Sequence, residues 1–169
     1  MAGLTLIGCV IAGLYGIVHD QVTYSIGPEY FTHFKFDQFA WANSRLGDRV
    51  FVSCIGFLAT WWVGLIATWI LVRRLVVDQP RRVACRNVFD GFLTIFLTAV
   101  VFGVCGFLYG TMIDLNHFTS WTAMCESLGV VDTKSFIVVA CIHSAGYLGG
   151  IVGLGLTFFI VKRKGDSAG

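Results

Sequence analysis

FIVVACIHSAGYLGGIVGLGLTFFIV, residues 136–161, contains no Lys, Arg, Asp or Glu. A helix needs about 20 mostly apolar residues to cross the hydrocarbon core of a bilayer, and this stretch has them. Apolar and polar residues do not alternate along it, so a strand of a membrane β-barrel is not the reading. In lipid each backbone N–H and C=O must be satisfied inside its own segment, which predicts a membrane-spanning helix. Three other segments pass the same test: residues 4–18, 50–72 and 89–113. The expected fold is therefore all-α, a four-helix transmembrane bundle, with connections at residues 19–49, 73–88 and 114–135.

Composition agrees. Of 169 residues, 56% are hydrophobic and 13% charged, against usual shares of about 45–50% and about 25%. These values exclude a soluble enzyme, a disordered chain, a nucleic-acid binder and a disulfide-rich secreted domain. No polar stretch is long enough for a separate extramembrane domain, so residues 1–169 are expected to form one integral membrane domain. The short first segment lacks a basic leader and a small-x-small cleavage site. Leu6-Ile7-Gly8-Cys9 looks like a lipobox, but the apolar run before it is too short for a working signal. A retained helix is expected there.

Charge sets the expected orientation. Arg73, Arg74, Arg81, Arg82 and Arg86 lie between the second and third segments, and Lys162, Arg163 and Lys164 follow the fourth. The positive-inside rule makes that side cytoplasmic. Both termini are then cytoplasmic, and loops 19–49 and 114–135 lie outside. The remaining basic residues are balanced by acids, and the net charge is +2.

Six cysteines are present, with no C-x-x-C pair. Four sit inside the expected spans, where Cys behaves as a small apolar residue. A membrane thiol oxidase would need paired reactive thiols. Gly146/Gly150 and Gly149/Gly153 both have G-x-x-x-G spacing, and such small residues let helices approach closely in lipid. Gly149 and Gly150 are expected to face a neighbouring helix. The same faces suit a partner membrane protein or a second copy of the chain. Phe31, Phe34, Phe36 and Phe39 suit a short amphipathic helix lying on the outer membrane surface.

The informative residues are ionisable groups near the expected outer edge. His19 and Asp20 end the first span, Glu29 follows in the loop, and Asp114 and His117 close the third with i, i+3 spacing. His143 lies roughly 12 Å below the surface at about 1.5 Å per residue. Ionisable residues inside a membrane are functional-site candidates. Imidazoles with carboxylates suit a transition metal such as iron, copper, manganese or zinc. The candidate ligands are therefore His19, Asp20, Glu29, Asp114, His117 and His143. His143 is the first choice, His117 and Glu29 come next, and His33 is the weakest histidine. The same residues also suit plain structural roles: a polar helix terminus, a cap, or a histidine bonded to a carbonyl or to Tyr147.

Tyr15-Gly16-Ile17-Val18-His19-Asp20-Gln21-Val22-Thr23, with Pro28-Glu29-Tyr30-Phe31-Thr32 after it, resembles an uncharacterised group of small bacterial four-helix membrane proteins. His143-Ser144-Ala145-Gly146-Tyr147-Leu148-Gly149-Gly150 resembles that group's fourth span. The resemblance implies a bacterial inner membrane and the same layout, and it brings no activity. Three classes of function fit: a metal-dependent protein, with redox chemistry as one use of the metal; a non-catalytic subunit of a larger membrane complex; and a small transporter or channel. The last is weakest, since no span carries a midplane charge pair and no inverted repeat is visible.

Overall fold

The structure, a computed structural model, describes residues 2–75, 79–115 and 119–166. Among these residues there is no strand. They form helices α1 (Ala2–Ile26), α2 (Phe36–Gln38), α3 (Asp48–Leu75), α4 (Arg81–Met112), α5 (Thr119–Ser127) and α6 (Thr133–Asp166). A π-helical turn at Phe31–Lys35 and a 3-10 turn at Ala40–Ala42 flank α2. Four helices are long and apolar enough to cross a membrane, over Gly3–Ile26, Asp48–Arg74, Arg82–Met112 and Thr133–Ile160. Leu6, Val18, Ile151 and Phe159 are among their exposed side chains, as a lipid-facing surface requires.

The first span is longer than its apolar run predicts. Residues 19–26 continue α1 instead of starting a loop, so His19 and Asp20 lie inside the helix. Their polar neighbours are satisfied locally. The Thr23 hydroxyl donates to the His19 carbonyl at 3.0 Å, and that of Ser25 donates to the Gln21 carbonyl at 2.9 Å. Arg49 at the start of α3 donates to the Gln21 carbonyl, the Gln21 side chain and the Ser25 hydroxyl. A cation there also suits the C-terminal end of the helix dipole. The helix stops only at Gly27-Pro28, where Pro cannot continue it.

The long helices associate as two antiparallel pairs, α1 with α3 and α4 with α6. Glycine makes each pair close. A Cβ on Gly16 would run into the Gly56 carbonyl, and one on Gly64 into the Gly8 carbonyl. In the second pair, a Cβ on Gly106 would meet the Cys141 carbonyl at 2.5 Å, and one on Gly149 would meet Phe102 at 2.6 Å. Thr60 Oγ1 lies 2.8 Å from the Ala12 carbonyl, a polar link across the first pair. Such contacts replace hydrophobic drive, which is absent between helices in lipid. Of the two G-x-x-x-G spacings, only Gly149/Gly153 lines a seam. Gly150 has nothing within 4 Å of where its Cβ would be, and Gly146 is only grazed. The helical repeat turns Gly150 about 100° away from Gly149, so both cannot face one neighbour.

At the end where α1 finishes and α6 begins, the connections form a cap. Glu29 accepts from the backbone N–H groups of Val131 and Asp132, the latter at 2.6 Å. Asp132 in turn accepts from Ser135 N–H at 3.0 Å, an N-cap for α6. Lys134 Nζ donates to the Ile113 carbonyl just past α4 at 2.6 Å. Helix α5 ends at Gly129, with φ +69° and a 3.0 Å bond from Val130 N–H to the Cys125 carbonyl, a Schellman closure. His33 is no bystander in an exposed loop: its Nδ1 lies 2.9 Å from the Leu128 carbonyl, tying the cap to the end of α5.

The phenylalanines do not rest on the membrane surface as a unit. Phe31 is fully buried, with its ring 5.6 Å from those of Tyr24 and Tyr30, and Phe36 packs on Phe51 at 4.6 Å. Burying such side chains is worth roughly 1.5–3 kcal/mol each. The π-helical turn folds them down into the mouth of the bundle, so the segment is a plug.

Candidate metal centre

The two helix pairs meet along a seam of different character. Tyr15 of α1 touches Phe96 of α4 edge-on at 5.1 Å, and His19 of α1 meets His143 of α6 edge-on at 4.7 Å. Tyr15 and His19 share one face of α1, and His143 and Tyr147 one face of α6, each by i, i+4 spacing. Aromatic and ionisable side chains thus fill this seam where glycine closes the others.

His143 lies ten residues after Thr133, roughly 15 Å along α6 at about 1.5 Å per residue. It is 4% exposed, and Asp20 is 5% exposed. Above them, Tyr30 stacks on His143 with ring centres 5.0 Å apart and planes 24° apart, and Phe31 closes the edge at 6.1 Å. Lys35 Nζ lies 6.0 Å from the Tyr30 ring centre on this cap. Burial pushes the Lys35 ammonium below its usual pKa, partly opposed by attraction to Asp20. Burial pushes the Tyr30 phenol well above the usual range, so its O–H stays protonated.

His143 Nε2 is fully enclosed and makes no hydrogen bond. The Asp20 carboxylate faces it, but at 3.9 Å the two are too far apart to bond. A buried polar atom without a partner costs about 1–3 kcal/mol, so it calls for an explanation. The Tyr147 ring centre is 6.1 Å from that of His143, and Tyr147 does not supply the missing bond.

His19, Asp20 and His143 each offer a ligand atom, and these atoms all lie within 4.8 Å of one another. Two bonds of about 2.0–2.2 Å to one ion reach at most about 4.4 Å, so a shift of roughly half an ångström closes the trio. Two neutral imidazoles and a carboxylate are a donor set for a first-row transition metal.

Of the other sequence candidates, Glu29 is spent on the N-terminus of α6, and Asp114 is exposed just beyond α4. Neither joins the trio. His117 lies outside the described residues. Sequence reasoning passed over Tyr15, Tyr30 and Lys35 as neighbours of the site. The Tyr15/His19 and His143/Tyr147 spacings were legible signals for two of the surrounding phenols. Nothing local announces that Tyr30 and Lys35 fold back over it. No protein-family model matches the chain, and neither does any curated protein or solved structure.

Proposed function

We propose that this membrane protein binds a first-row divalent transition metal through His19, Asp20 and His143, near the outer face of the bilayer. The enclosed, unbonded Nε2 of His143, aimed at Asp20 and His19, is the observation that carries the reading. A cation there satisfies in one step a buried imidazole and a buried carboxylate, either of which is costly to leave alone. The donor set is that of a 2-His-1-carboxylate triad, which suits iron(II) and leaves coordination positions open for a small ligand. Manganese, zinc and copper accept the same donors. No thiolate belongs to the trio, which speaks against an iron–sulfur cluster. With iron or copper the centre supports one-electron chemistry. Tyr30 and Phe31 exclude water above it, and Tyr15 and Tyr147 hold phenols beside it.

The outer placement follows from the arginines. Arg73, Arg74, Arg82 and Arg86 belong to the opposite end of the spans, and the positive-inside rule makes that end cytoplasmic. Both termini then face the cytoplasm, as in a bacterial inner-membrane protein.

The test is elemental analysis of protein purified without chelator or metal-affinity tag, beside His143→Ala and Asp20→Asn. The parent should carry close to one metal per chain, and each variant far less. A folded parent with only background metal, even after incubation with Fe(II), Mn(II), Zn(II) or Cu(II), would remove the proposal.

A further inference from the structure

The charges around the trio do not balance for a dication. Asp20 is its only carboxylate, so a divalent ion leaves one positive charge in a buried place. The cap adds another. Lys35 Nζ is 6.0 Å from the Tyr30 ring centre, which is 5.0 Å from that of His143, so the ammonium lies within 11.0 Å of the imidazole. Phe34 and Phe39 also flank it, with Nζ at 5.7 and 6.0 Å from their ring centres. Its described hydrogen bond is to the neutral Gln38 side chain at 3.3 Å. Two other basic groups at this rim are engaged elsewhere, Arg49 with Gln21 and Ser25 and Lys134 with the Ile113 carbonyl. Lys35 is partly buried, so salt screens it less than it would an exposed charge.

We infer that Lys35 is the built-in counter-charge of Asp20 and sets the metal affinity of the site, by opposing a dication bound to His19, Asp20 and His143. This rests on the metal centre proposed above and adds to it a regulator outside the ligands. Without metal, the ammonium on the aromatic cap and the buried Asp20 carboxylate attract each other. With a dication bound, the two cations repel, and the ammonium is driven outward along the π-helical turn. π-helical turns are rare and recur at functional sites, and this one carries Lys35 at its end. The consequence is an exchangeable metal: a site that holds its ion less tightly than its ligands alone would.

The experiment is calorimetric titration of the full chain in lipid nanodiscs with Zn(II), comparing the parent with Lys35→Met and Lys35→Arg. Met keeps the apolar stem against the rings and deletes the charge, and Arg keeps the charge. Lys35→Met should bind Zn(II) about tenfold or more tightly than the parent, as removal of a unit charge facing a dication through a partly buried path requires. Lys35→Arg should stay within about threefold of the parent. If Lys35→Met is poorly folded, Lys35→Gln takes its place with the same expectation. Equal Zn(II) affinity in parent, charge-deleted and Arg variants overturns the role of Lys35 and leaves the metal centre standing. Absence of Zn(II) binding in parent and variants alike overturns both. Weaker binding after charge deletion means the ammonium supports the site instead of opposing it, and that also ends the inference.

Discussion

The seams within the helix pairs and the seam between them solve the same packing problem in opposite ways. Within a pair, glycine brings backbones together until no side chain fits, as at Gly16 against Gly56 and at Gly149 against Thr98 and Ala99. Between the pairs, Tyr15, His19, His143 and Phe96 hold the backbones apart with rings. The first kind leaves no room for chemistry. The second traps a histidine whose Nε2 has no partner. Stability is concentrated in the glycine seams, and they leave the seam between pairs free to carry a feature that costs stability.

The largest effect should come from the glycine seams. Gly16→Leu drives a side chain into the Gly56 carbonyl, which cannot move without breaking α3, so the cost should exceed the usual overpacking range of about 1–3 kcal/mol. Gly150→Leu points into open space and should melt within a few degrees of the parent. Equal melting of the two variants in detergent would erase the distinction between the seam and the outward face.

The middle effect has the opposite sign. In metal-free protein, His143→Leu replaces an unpartnered buried imidazole with an apolar side chain, and stability should rise by about 1–2 kcal/mol. A drop in melting temperature would show that His143 is a structural residue after all. The same variant should bind no metal.

The cap should respond more weakly. Glu29→Gln weakens the charged acceptor at Val131 and Asp132 and should cost about 1 kcal/mol, the scale of a helix cap. Metal affinity should not change, because Glu29 is not one of the trio. A large loss of metal with Glu29→Gln would move the site outward. Smallest is Asp132, whose hydrogen bonds from the Ser135 hydroxyl and then the Ser135 N–H hold its carboxyl below the usual 3.8. Its folded value is depressed, so its contribution is full above about pH 3.8 and is lost as pH falls through the lower folded value. Asp132→Asn should therefore be slightly less stable than the parent at pH 7, with the gap closing in strong acid.

The four long helices were legible because crossing lipid demands long apolar runs, and a run such as 136–161 carries no charged residue. Their ends were less so. Residues 19–26 look like a loop because they are polar, and part of what keeps them helical is Arg49, distant in sequence, which donates to the Gln21 carbonyl. His143 was readable as an intramembrane ionisable group, and His19 and Asp20 as a polar pair at the outer end of the first span; that α1 carries both within the helix was not. Their convergence was expected, but its membership was not. Glu29 and Asp114 lie near the same end of the bundle by sequence, yet position along an axis does not fix which way a side chain turns. The plug was illegible for a related reason. Phe31 and Tyr30 fold inward because a π-helical turn re-aims them, and aromatic spacing alone does not encode that turn.

X-ray absorption spectroscopy of the reconstituted full chain loaded with one equivalent of Zn(II) tests the metal centre most directly. The account predicts a shell of nitrogen and oxygen at about 2.0–2.2 Å, with the outer-shell scattering of two imidazoles, and loss of one imidazole in His19→Gln or His143→Gln. A shell without imidazole scattering, or one unchanged in both variants, contradicts it.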